Sequence, residues 1–326
     1  MQLTLGYLLL FAPIIAVTTF LIYIYVYVRL FYIENMVRIL QIQPLFIIPR
    51  GDHDPTAEEV HFPTSGGAKL YGVYFHTPQA VRKGVILFGI EFGSDCWSAR
   101  GYTEALVADG YDVFTYAPRG QKGSDVIPGY TPMPWITTWE VEDCHAAINY
   151  LLHRPDADPK GIGFFGVSKG ANAGLAAATS SSAIRCIVTD GAFGLLSVMV
   201  PYMKHWIKIY NRNFLVHGIA PRRFYYHIAE IGARRAERRL KLRLYRLDQR
   251  MKKIKKPVFM IHGALDSYIK PEMSQELYER SGGHREYWLV PKARHNQAIT
   301  LAKDEYRQRL LEFFNHHMPS STPKQV

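Results

Sequence analysis

The stretch Gly161-Ile162-Gly163-Phe164-Phe165-Gly166-Val167-Ser168-Lys169-Gly170, continuing Ala171-Asn172-Ala173-Gly174-Leu175-Ala176, decides the fold. Its first five residues are apolar without alternation, the pattern of a strand buried on both faces of a parallel sheet. From Gly170 onward the residues are small, and positions 170–179 read as a helix lying close against that sheet. Between strand and helix stands G-x-S-x-G. Glycines two residues either side of Ser168 permit a tight turn that lifts the hydroxyl clear of the sheet, and the helix that starts there points its amides at any oxyanion formed nearby. The five-residue pattern alone arises by chance in roughly one chain in twelve of this composition, so its surroundings carry the argument.

Those surroundings repeat the same alternation. Apolar runs at 59–63, 69–76, 85–89, 111–116, 185–189, 257–261 and 286–290 read as strands. Helical periods at 97–109, 138–152, 271–280 and 295–316 lie between or after them. Strands that alternate with helices form a mostly parallel sheet covered on both faces. The fold class expected is therefore α/β. One interval breaks the rhythm: the 65 or so residues between the strands ending near 189 and starting at 257 exceed a crossover helix. Residues 193–250 are expected to form a helical cap on a body spanning 57–318, with a disordered tail at 319–326.

The chain has 326 residues, 48% of them hydrophobic, and a net charge of +11. Residues 222–256 hold 14 Lys or Arg against Glu230, Glu237 and Asp248, which accounts for the whole excess. The remaining 25 basic and 25 acidic residues cancel. No recognition motif accompanies this charge, so nucleic acid is not expected as a partner. A solvated helix face is one reading. A membrane-facing basic cap with Leu240, Leu244, Leu247, Met251 and Ile254 as its apolar stripe is another. Three cysteines without a CxxC pair give neither a disulfide framework nor a zinc knuckle, and no HExxH or close His/Asp cluster suggests a metal.

From Leu3 to Val28 no residue is charged. At about 1.5 Å per residue this length crosses a hydrocarbon core of about 30 Å. A cleavable signal peptide would show a basic start, a short apolar region and a small-residue cleavage site, none of which is present. Residues 1–30 are expected to be a single-pass anchor, and 31–56 a membrane-proximal stalk or a first element packed on the body. Arg29, Arg38 and Arg50 follow the span and none precedes it, which places the body on the cytoplasmic side by the positive-inside rule.

A serine is a poor nucleophile unless a base takes its proton and an acid orients that base. Strand 257–261 runs into His262-Gly263-Ala264-Leu265-Asp266, and strand 286–290 into Pro291-Lys292-Ala293-Arg294-His295. Parallel strands align their C-terminal ends on one edge, so Asp266 and His295 are expected to meet Ser168 there. Asp190, at the end of the preceding strand, is the rival acid. His262 is expected to be structural.

With GFFGVSKGANAG, MIHGALDSYIKP and VPKARHNQA in that order, the chain resembles the α/β-hydrolase superfamily, in particular the dienelactone-hydrolase and prolyl-oligopeptidase-like branch and its small membrane-anchored serine hydrolases. Tyr116–Ser124 also resembles that superfamily's D-x-R-G-x-G-x-S loop, without the usual acidic residue at Pro118. The resemblance implies a Ser168–Asp266–His295 triad acting without a cofactor. It also implies an oxyanion hole made by backbone amides of Lys169 and of Ile90 or Glu91. Where the superfamily usually has His-Gly, this chain has Phe88-Gly89-Ile90-Glu91, and a carboxylate at an oxyanion is opposed to catalysis unless turned away or paired. The expected activity is hydrolysis of carboxylic esters or thioesters, including acyl lipids. Peptidase or acyltransferase chemistry, or a catalytically silent membrane scaffold, are the alternatives.

Overall fold

The computed structural model describes residues 2–42, 49–210 and 221–318. The tail 319–326 and parts of the expected stalk and cap lie outside them. By contacts the chain divides into a larger unit, Gln43–His205 with Leu242–Val326, and a smaller one, Met1–Ile42 with Trp206–Lys241.

The larger unit is built on one sheet of eight strands: β1 (Glu58–Pro63), β2 (Lys69–Phe75), β3 (Gly84–Gly89), β4 (Tyr111–Ala117), β5 (Ile162–Val167), β6 (Ile184–Asp190), β7 (Val258–Gly263) and β8 (Arg285–Val290). Their spatial order is β1-β2-β4-β3-β5-β6-β7-β8. The first two pairings are antiparallel and the other five parallel. All six residues of β3, β5 and β7 are buried, as their unalternating sequences require, whereas β8 at the edge is largely open. One face carries a core containing Leu87, Phe114, Phe164 and Met260, and the other a core containing Ile86, Phe88, Phe165 and Ile261. Successive side chains of a strand thus serve opposite layers.

Around this sheet lie α3 (Ala99–Ala108), α4 (Thr138–Leu152), α5 (Lys169–Ala178), the start of α6 (Leu195–Tyr210), α8 (Leu247–Arg250), α9 (Pro271–Glu279), α10 (Ala298–Leu301) and α11 (Lys303–His317). A capping box fixes the start of α4: Thr137 Oγ1 accepts from Trp139 N, and the Glu140 carboxylate accepts from Thr137 N at 2.8 Å. The single helix expected at 295–316 is instead two, parted at Ala302, and His295 lies in the loop before them.

The smaller unit contains α1 (Gln2–Tyr27), a π-helical turn (Val28–Tyr32), α2 (Ile33–Ile39) and α7 (Arg222–Leu240). Phe11–Arg38 contains an 18-residue window of mean hydropathy 2.0 and is long and apolar enough to cross a membrane. On α7, Tyr225, Ile228, Ala229, Ala233 and Ala236 are buried and the arginines are exposed. The expected cap at 193–250 is therefore shared between the two units. Its proposed apolar stripe does not face outward: Leu247, Met251 and Ile254 belong to the core of the larger unit. An i, i+3/i+4 apolar spacing marks a buried face without saying what buries it.

Candidate active site

Strand β5 ends at Val167 and α5 starts at Lys169, so Ser168 alone makes the turn. Its backbone stands at φ 51°, ψ −118°, a conformation an L-residue adopts only when its surroundings enforce it. They do so closely. A Cβ on Gly166 would lie 2.8 Å from Ala171 N, and one on Gly170 would lie 2.3 Å from the carbonyl carbon of Gly89 and 2.4 Å from Ile90 O. The first glycine lets α5 fold back on its strand. The second lets the helix start directly against the backbone of Gly89 and Ile90 at the end of β3. Ser168 N donates to Asp190 O at 2.8 Å, tying the turn to the end of β6.

Asp266 and His295 come from the loops after β7 and β8. These loops are stitched together: Leu265 N donates to Ala293 O at 2.8 Å and Ala264 N to Val290 O at 2.9 Å. Asp266 Oδ1 accepts from Tyr268 N and Ile269 N, both at 2.9 Å, which aims Oδ2 at His295 Nδ1, 2.6 Å away. His295 Nε2 lies 3.1 Å from Ser168 Oγ. A carboxylate facing Nδ1 keeps the proton on that nitrogen and leaves Nε2 free to accept one from the serine. Residues 98 and 29 positions apart along the chain thus meet at one rim, as the order of motifs implied.

The rival acid has another partner. Asp190 Oδ2 accepts from Tyr306 Oη at 2.9 Å, and burial pushes its carboxyl up to about 7. His262 is fully buried; its Nε2 lies 2.7 Å from Ile269 O and 3.5 Å from Asp266 Oδ2, and burial lowers its pKa. It braces the acid's loop, as expected of a structural histidine.

The Glu91 carboxylate is paired. Tyr102 Oη donates to its Oε1 at 3.0 Å, and Asn296 Nδ2 to its Oε2 at 2.5 Å. The carboxyl is 1% exposed, and burial raises its pKa against the lowering effect of those two donors and of His295. Asn296, at φ 57°, thereby connects the residue after the imidazole to the loop expected to supply an amide. Its role was missed from sequence. The available signals were its place directly after His295 and the misfit of a glutamate at position 91.

The side chain of Lys169 is likewise engaged. Nζ donates to Glu140 Oε1 at 2.7 Å, with both residues buried, and Glu140 also accepts from Thr137 and Tyr130. Although burial works to raise the Glu140 pKa, Lys169 and these hydrogen bonds bring it below the usual value. Lys169 thus holds its own helix end against α4. Arg119, in the loop after β4, is buried with Asp143, its Nε at 2.7 Å from Oδ1, and so holds that loop to α4.

An open depression of about 1500 Å³ adjoins His295 and Asn296, between His53, Trp97, Arg100 and Tyr268. Ser168 is not in its lining, so it meets the constellation from the imidazole side. Among the described residues, the one cluster with metal-ligand spacing is His284, Glu286 and His317, whose ligand atoms lie within 4.8 Å of one another. It shares no residue with the site.

The sheet order and the serine-bearing turn define an α/β-hydrolase, and the class is that of the serine hydrolases. More particularly, residues 98–321 match the prolyl oligopeptidase family, and the chain belongs to it. A search of curated proteins finds no match. Solved structures of the same fold include the Pyrococcus furiosus esterase Pf2001, at 23% identity and a TM-score of 0.63 over 85% of this chain and 98% of that one. The α/β hydrolase GrgF from Penicillium sp. sh18 is similar at 19% identity and a TM-score of 0.60, over 80% of this chain and 99% of that one. A cold-adapted esterase from an Arctic intertidal metagenomic library follows at 15% identity and 0.53, over 82% and 96%. At these identities the likeness concerns the fold.

Proposed function

We propose that the protein hydrolyses carboxylic esters or thioesters through an acyl-enzyme on Ser168. One observation carries the reading: Ser168 Oγ at 3.1 Å from His295 Nε2, with His295 Nδ1 at 2.6 Å from the Asp266 carboxylate. His295 takes the proton of Ser168 as the hydroxyl oxygen bonds to the acyl carbon. The carbonyl oxygen becomes an anion held by backbone amides of Lys169 and of Ile90 or Glu91. The imidazolium then protonates the leaving group, and its place beside the open depression suits that step. Water, deprotonated by the same imidazole, attacks the acyl carbon and frees the serine. No cofactor takes part in this scheme.

Ester rather than peptide substrates are favoured by the esterases among the structural neighbours; membership of the prolyl oligopeptidase family favours peptides. The apolar N-terminal helix favours a single-pass anchor with the body on the cytoplasmic side, and with it acyl lipids as substrates. A fluorophosphonate probe should label the full-length protein, and Ser168→Ala should abolish labelling while the protein stays folded. Labelling that survives in Ser168→Ala, or is absent from folded wild type, overturns the mechanism and leaves the scaffold reading. A panel of acyl esters of graded chain length then reads the substrate, with preference for acetyl groups counting against lipids. The anchor is tested by alkaline carbonate, which should leave the protein in the membrane pellet.

A further inference from the structure

The smaller unit joins an apolar helix to an arginine helix. Helix α1 continues through the π-helical turn Val28–Tyr32 into α2 without leaving helical geometry, so α2 is the foot of the apolar span. On α2, Ile33, Met36 and Val37 are buried, as is Leu40 directly after it, and the helix packs on α7. Gly232 makes the approach close, since a Cβ there would sit 2.7 Å from Met36 Cε. Glu34 fixes the register by accepting from Arg235 Nε at 3.1 Å and from Arg239 Nη1 at 2.9 Å. The rings of Tyr25 and His227 stack at 6.3 Å. Helix α7 is thereby held where the uncharged stretch gives way to Arg29 and Arg38.

The charge at this level is far from balanced. Helix α7 carries Arg222, Arg223, Arg234, Arg235, Arg238 and Arg239, all exposed, against Glu230 and Glu237. The described residues of the unit hold ten Lys or Arg and three acidic residues in all. One arginine–glutamate pair on the helix, Arg234 with Glu230, is the ordinary i, i+4 kind at 3.0 Å. The apolar face of α7 is already covered within the fold, so the arginines have no part in burying it. Guanidinium groups bind phosphate oxygens through paired N–H donors, and acidic leaflets draw basic residues within a Debye length of their surface.

We propose that α7 is a headgroup-binding helix, whose exposed arginines, Arg234 and Arg238 foremost, engage anionic phospholipids of the bilayer that α1 enters. The proposal rests on the anchored reading of α1. Its occupant is the lipid surface, because the same contacts that display the arginines tie their helix to the foot of the span.

The test uses full-length protein in nanodiscs of phosphatidylcholine alone or with phosphatidylglycerol. An arginine-selective phenylglyoxal reagent is applied and labelling is read by peptide mass spectrometry. Arg234 and Arg238 should be modified about threefold more slowly in the anionic discs, and 0.5 M salt should restore the neutral-disc rate. Arg309, a half-buried arginine of α11 outside this unit, serves as the internal reference and should react alike in both. Equal rates at 234 and 238 in the two discs, or a slowing that Arg309 shares, overturn the proposal and leave an acidic protein partner as the alternative. Failure of the chain to enter discs, together with release by carbonate, removes the anchor and this inference with it, while Ser168 labelling reports separately on the enzyme.

Discussion

At Ser168 the direction of the hydroxyl is set by the main chain before any substrate arrives, because φ 51° is held from both sides by backbone that tolerates no Cβ at Gly166 or Gly170. The imidazole opposite depends on a finer choice, that of which nitrogen carries its proton. Asp266→Asn keeps the acceptor for the Tyr268 and Ile269 amides but turns an N–H toward His295 Nδ1. That reverses the tautomer and points a proton at the serine. Fluorophosphonate labelling and ester hydrolysis should fall by about 10⁴-fold with the melting temperature little changed. Asn296 offers a second residue-level test. Asn296→Ala leaves the buried Glu91 carboxyl with Tyr102 as its donor, and denaturant unfolding should show a loss of about 1–3 kcal/mol. Asn296→Asp sets a second carboxyl against Glu91, whose pKa burial raises, so its destabilisation should be larger at pH 8 than at pH 5, because the carboxyl is the more ionised the higher the pH. An equal loss at the two pH values would mean that the Glu91 contact is not formed.

Helix α5 owes its position to being made of almost nothing but Ala and Gly. At Gly174 an added Cβ would fall 1.9 Å from Phe164 Cε1, inside the ring of the strand beneath. Gly174→Ala should therefore cost about 1–3 kcal/mol in thermal or denaturant unfolding, and Phe164→Leu in the same chain should recover part of it. No recovery in the double variant would place the strain elsewhere. This helix was legible in sequence because small residues after an apolar strand have few alternatives, and the same holds for β3, β5 and β7. The stretch 222–256 was less legible. Its basic residues and leucines form one continuous pattern, yet 222–240 belongs with the N-terminal helices and Leu247, Met251 and Ile254 with the core of the sheet. Periodicity fixes which face is covered, and the covering partner is a tertiary fact. The helix expected from His295 failed for a related reason. A base must sit in a loop free to reach another strand's end, and Asn296 at φ 57° is where the chain leaves helical geometry. Ser168, Asp266 and His295 were readable from strand ends alone, whereas Tyr102, Tyr306 and Asn296, which fasten the acids behind them, follow no local pattern.

Across the molecule, buried acids shape the response to pH. The Asp190 carboxyl is lifted to about 7 by burial, with Tyr306, Glu91, Asp266 and His295 as its ionisable neighbours. In the unfolded chain it releases its proton near pH 3.9. Between those values the folded protein binds a proton that the unfolded chain has lost. Its contribution to stability is therefore complete below about pH 4 and is lost as pH rises through 7. Asp190→Asn cannot ionise and still accepts from Tyr306, so its melting temperature should fall less between pH 5 and pH 8 than that of wild type. Parallel profiles would show that Asp190 does not titrate in this window. The same acids bear on turnover. Glu91 and Asp190 both feel the charge of His295, and the influence is mutual. Once ionised, they form a reserve of negative potential behind the imidazolium that arises in each acyl transfer. Removing the neighbouring acid need not extinguish turnover: a chain lacking Asp266 should keep a residual rate that climbs with alkalinity, and exchanging Glu91 for glutamine in that background should flatten the climb.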